Sequence, residues 1–149
     1  SMPMATLRSR IEELLSLLDL EKDADKLTIE YSHGMKKKLA LAAAILPDPD
    51  LLFLDEPFEG IDAVASRTIR KILTNFRERG STIFLTSHVL EIVERLCTHV
   101  GIIVGGKLVE QTSLEGLGSG GSLEQRFLEV VGTDVEQEAQ LSWLAEGDR

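Results

Sequence analysis

Apolar positions along the chain recur with two different periods. Leu7, Ile11, Leu14, Leu15 and Leu18 fall at helical spacing, which predicts an amphipathic helix over 6–18. A charged, turn-like stretch follows over 19–28. From 33 or 34 to 46 the chain is rich in alanine and leucine, strong helix formers, and Pro47 and Pro49 close that second helix. Residues 51–54 form an unbroken apolar run between turn signals, the pattern of a strand buried on both faces. Asp62 can cap a third helix over 63–79, with Val64, Ile69, Ile72, Leu73 and Phe76 on its inner face and Gly80 as its stop. Residues 81–86 read as a second buried strand and 88–97 as a short helix. Two strands over 100–104 and 108–110 are joined by Gly105-Gly106, a hairpin turn pair. The stretch 116–122 is rich in glycine and serine and is expected to be flexible. A last helix is predicted over 123–131. Alternation of helices and strands implies parallel pairing and an α/β layer fold.

Composition narrows the classes of function. With 149 residues and 43% hydrophobic content, the chain can form a folded domain with a real core. It carries 16 Lys and Arg against 25 Asp and Glu, a net charge of −9, which argues against free nucleic acid as a partner. From Glu124 onward seven acids face two bases, so the C-terminal stretch reads as a solvated acidic tail. Cys97 is the single cysteine and makes neither a disulfide nor a zinc site, as expected in a reducing compartment. No run of 18 apolar residues suggests a transmembrane helix.

Three stretches carry candidate chemistry. In the first, Ser32 and Gly34 open a helix that continues through Lys36, Lys37 and Lys38. Free N–H groups and the helix dipole favour an anion there, although a plain serine cap gives the same pattern. In the second, Asp55 and Glu56 sit where the apolar run ends, the edge at which open parallel sheets bind ligands. Phosphoryl chemistry needs one carboxylate to hold magnesium and a group to orient or deprotonate water, and adjacent acids can divide those tasks. An acidic loop is the alternative. In the third, His88 directly follows the second strand and can either contact a phosphate oxygen or serve as a cap. His33 and His99 carry only structural readings.

Their order resembles the nucleotide-binding domain of ABC transporters over roughly 7–117. Tyr31-Ser32-His33-Gly34-Met35 is similar to the family signature, usually LSGGQ. Residues 51–56 resemble its Walker B, 59–62 its D-loop, and His88 its switch histidine. The resemblance implies a partial P-loop NTPase-type parallel sheet flanked by helices, with part of the helical signature subdomain. It implies ATP and Mg2+ as ligands, with Asp55 holding the metal, Glu56 as general base and His88 on the γ-phosphate. Ser32, Gly34 and Met35 would grip a nucleotide held by the opposite subunit, and Asp62 would lie at the dimer interface. His33 and Met35 depart from the usual glycine and glutamine. The implied partners are a second ATP-binding domain and a membrane-spanning permease, with the protein peripheral on the inner face of the membrane. The YSHGM variant is similar to bacterial exporter subunits.

A Walker A loop, G-x-x-x-x-G-K-[ST], is missing from these residues. Gly101 to Leu108, GIIVGGKL, is a near miss that ends in a leucine unable to bind magnesium. The stacking aromatic and the glutamine loop are missing as well. The expectation is therefore the C-terminal part of an ABC ATPase over 1–117, followed by a linker, short helix and tail over 118–149, inactive alone. Strand edges left open would favour self-association. A non-transport ABC ATPase and a non-catalytic interaction module are the alternatives.

Overall fold

The computed structural model describes residues 2–117 and 122–132. The chain divides into two compact units, Ser1–His88 and Val89–Arg149. Among the described residues no helix is long and apolar enough to cross a membrane.

The first unit is α/β. Helix α1 spans Met4–Leu17, and single 3-10 turns follow at Glu21–Asp23 and Thr28–Glu30. Helix α2, His33–Ile45, leads into strand β1, Leu51–Asp55. Helix α3, Ala63–Glu78, returns the chain to strand β2, Thr82–Thr86. The strands pair in parallel, with Leu51 opposite Thr82 and Asp55 opposite Thr86, as the alternation of elements implied. Ile69 and Leu73 of α3 are fully buried, together with Leu18 and Leu20, which close the end of α1. Tyr31, just ahead of α2, is buried and donates its hydroxyl to the Asp23 carbonyl at 2.8 Å, which holds the approach to that helix.

Two expectations are corrected here. The strands are covered on one face, not both: Leu52 is 4% exposed and Ile83 and Leu85 are half-buried, whereas Phe53 is 72% and Phe84 65% exposed. Side chains alternate across a strand, and the described residues place a helix, α3, over one side. The two open phenyl rings sit 5.8 Å apart. Val64 is the second correction. It is 79% exposed because it lies in the first turn of α3, ahead of the buried stripe set by Ile69 and Leu73.

In the second unit, helix α4 spans Leu90–Leu96 and buries Val93 and Leu96. It starts later than the expected 88 because Val89 is its extended N-cap. Strands β3, His99–Val104, and β4, Lys107–Ser113, form the expected hairpin. Gly105 and Gly106 take φ of 57° and 76°, the left-handed pair that a tight two-residue turn requires. The register shifts between Ile102 and Ile103, so β4 runs past the predicted 110 with one residue bulged. Helix α5 covers Leu114–Leu117, so Gly116 lies in a helical turn where a flexible stretch was expected. Helix α6, Leu123–Val131, starts with a capping box between Ser122 and Gln125 and ends at Gly132, φ 65°. The remaining residues of the predicted linker and the acidic tail from 133 lie outside the described residues.

Candidate functional site

The carboxyl ends of β1 and β2 bring Asp55, Glu56 and His88 together. Parallel register sets Asp55 opposite Thr86, and the Thr86 hydroxyl donates to Asp55 Oδ1. The Thr86 hydroxyl oxygen in turn accepts from the Glu56 backbone N–H at 3.1 Å. Glu56 therefore leaves the strand with φ 43°, the left-handed region that costs a non-glycine residue about 1–3 kcal/mol. Its carboxylate then lies 2.9 Å from His88 Nδ1. Hydrogen bonding to Glu56, reinforced by its charge, raises the His88 pKa above 6.5, and the more distant Glu59 adds to the effect. Burial and the Lys37 charge oppose it.

The start of α2 is organised by its cap. Ser32 Oγ accepts from Met35 N at 3.2 Å, so the capping role weighed for this serine is real. The two N–H groups between them, of His33 and Gly34, have no intrahelical acceptor, as in the first turn of any α-helix. A Cβ at Gly34 would lie 2.6 Å from the Gly60 carbonyl oxygen, and one at Gly60 would lie 2.8 Å from the His33 ring. This close approach packs the helix start against the loop that follows Glu56. The lysines behave differently from the sequence reading. Lys37 donates to the Glu56 carbonyl at 2.7 Å and to Glu59 Oε2 at 2.8 Å, and Lys38 is buried, so neither is a free anion-binding charge.

Asp62 caps α3 as expected, accepting from Val64 N and Ala65 N at 2.9 Å each. The bond from the Ala65 N–H leads the causes that hold its carboxyl below its ordinary range.

Residues 7–94 match the family described as "AAA domain, putative AbiEii toxin, Type IV TA system". The chain belongs to the AAA domain family.

The chain is also a homologue of ABC transporter ATP-binding proteins. An uncharacterised ABC transporter ATP-binding protein of Nostoc is 39% identical, over 96% of this chain and 42% of the relative. The bacitracin transport ATP-binding protein of Bacillus licheniformis is 40% identical, over 74% of this chain and 36% of the relative. A solved structure described as an ATP-binding subunit of an ABC transporter superposes with a TM-score of 0.81 at 27% identity, covering 87% of this chain and 56% of that one. The chain thus spans about two fifths of the length of these curated relatives.

The donor chemistry of the AAA domain's acids suits a hard cation. Asp55 is exposed and engages one oxygen with Thr86, which leaves the other for a metal. Magnesium is commonly held by one or two carboxylates, with water and substrate phosphates filling its other positions. Among the described residues there is no group of three His, Cys, Asp or Glu that could hold a metal by protein side chains alone. Thr86 is the site residue that the motifs did not flag; Lys37 and Glu59 fell within the basic helix start and the loop 59–62, without the contacts they make here. Thr86 precedes Ser87-His88 in plain view, but its importance appears only once the register puts it beside Asp55.

The Glu56–His88 pair makes a signed prediction. His88 has a raised folded-state pKa, so its contribution to stability is complete below 6.5, provided Glu56 is ionised, and is lost as pH rises through the higher folded value. Urea midpoints of the chain and its His88→Ala variant should therefore differ most near about pH 6 and converge by about pH 9. A difference that grows with pH would reject the pair.

Proposed function

We propose that this chain is part of the ATP-binding subunit of an ABC transporter, most simply an exporter, in which ATP is bound and hydrolysed to drive a membrane-spanning permease. The observation that carries the reading is the network of Asp55, Thr86, Glu56 and His88 gathered where β1 and β2 end. In this reading Glu56 accepts the proton of the attacking water, and His88 contacts the γ-phosphate and is held in place by Glu56. Asp55 would hold Mg2+, which supplies charge neutralisation on the phosphate oxygens. Ser32, Gly34 and Met35 would face a nucleotide on the opposite subunit, where the helix dipole and first N–H groups favour its phosphate. Asp62 would meet that subunit beside them. A fluoroquinolones export ATP-binding protein of Mycobacterium tuberculosis, 42% identical over 65% of this chain and 32% of the relative, supports transport out of the cell. The location that goes with this reading is the inner membrane face, through the permease.

No Walker A sequence occurs in the 149 residues, so the amides and lysine that cradle the phosphates have to come from outside them. The chain alone is expected to bind Mg–ATP very weakly and to hydrolyse none measurably. A longer ATPase carrying this segment should turn over, and His88→Ala should slow it about 10²-fold. Isothermal titration and phosphate release test both statements. Micromolar binding by the chain alone, or full turnover by the longer His88→Ala protein, would overturn the assignment.

A further inference from the structure

Glu56 is held from both sides by other elements. On its amino side, the N–H donates to Thr86 Oγ1 at 3.1 Å, from the end of β2. On its carboxyl side, the carbonyl accepts from Lys37 Nζ at 2.7 Å, from the second turn of α2. The Lys37 side chain is only 21% exposed and is anchored again on Glu59 at 2.8 Å. Between these two fixed peptide groups the backbone takes the left-handed turn, φ 43°, that a glutamate does not choose by itself. That turn delivers the carboxylate to His88. The Thr86 hydroxyl has one proton and gives it to Asp55, so one side chain sets the direction of both acids.

We propose that Thr86 and Lys37 are positioning residues that clamp the Glu56 backbone in its left-handed conformation and so aim the general base, with Thr86 also orienting Asp55. The proposal rests on the reading of Glu56 as a general base. Serine retains the hydroxyl that Thr86 uses; valine keeps its shape and loses both bonds. Methionine keeps the stem of Lys37 and loses its charge.

The test uses steady-state ATP hydrolysis by a longer ATPase carrying this segment, together with imidazole NMR titration of the 149-residue chain. Thr86→Val is expected to lower kcat about 10–10²-fold with KM for ATP within about twofold, since misplacing a reacting group by about 1 Å has that cost. Thr86→Ser should stay within about threefold of the parent, and Lys37→Met should fall about 3–10-fold. His88 is influenced by Glu56, Glu59 and Lys37, all retained in Thr86→Val. A drop of its titration midpoint toward 6.5 in Thr86→Val is therefore expected only from the Glu56 carboxylate moving off His88, and Thr86→Ser should keep it raised. Parental kcat and an unmoved His88 midpoint in Thr86→Val would overturn the clamp, as would a rise in KM at constant kcat. If Thr86→Val does not fold, Lys37→Met decides on kcat and KM alone, because losing the Lys37 charge moves the His88 midpoint by itself. Full turnover by Glu56→Gln would instead remove the general-base reading, while a shifted His88 midpoint in Thr86→Val would still establish the clamp.

Discussion

Glu56→Gln is expected to slow ATP turnover of a longer ATPase carrying this segment by about 10²–10⁴-fold, the range that one positioned general base supplies. Glutamine fits the same space and leaves the contacts to Thr86 and Lys37 untouched, because both are made by the Glu56 backbone. Its amide oxygen can still accept from His88, so the pair can persist in neutral form. What disappears is a group able to take a proton from water. The loss should therefore fall on kcat, with KM for ATP nearly unchanged, the pattern of an interaction made only in the transition state. The same substitution should bring His88 down toward its ordinary pKa, since Glu56 is the leading cause of the upward shift. Steady-state kinetics against ATP concentration measures the first effect and imidazole NMR the second. Turnover equal to the parent's would reject Glu56 as base.

Much of this arrangement was legible in the residues themselves. Helices over 33–45 and 63–78 fell within one or two residues of expectation because caps mark their starts: Ser32 and Asp62 each accept from the helix they open. The parallel pairing followed from the helix between the two strands. The gathering of Asp55, Glu56 and His88 followed from their places at two strand ends. Burial was less legible. An apolar run such as residues 51–54 states what a strand would bury, not what stands ready to cover it, and Phe53 is open among the described residues. Thr86 escaped notice, and Lys37 was read only as part of a basic helix start, for a different reason. Their roles are set by register and by the meeting of α2 with the loop after β1, contacts 30 and 19 residues apart in sequence. Local pattern carries no record of such contacts.

Leu73→Ala is the second large effect expected, at about 2–5 kcal/mol of stability. Leu73 is 0% exposed, like Ile69 one turn earlier, and α3 packs on β2 through this stripe. Removing the isobutyl group loses its transfer free energy and leaves a cavity beneath the helix that holds the strand in place. For a domain whose total stability is about 5–15 kcal/mol, that loss is a substantial fraction. Val64→Ala on the same helix provides the contrast. At 79% exposure it should change stability by no more than about 0.5 kcal/mol. Urea titrations of the two variants, followed by far-UV circular dichroism, compare them directly. The comparison also bears on the open side of the unit. Equal losses at Val64 and Leu73 would mean that the first turn of α3 is covered in solution by something beyond the described residues.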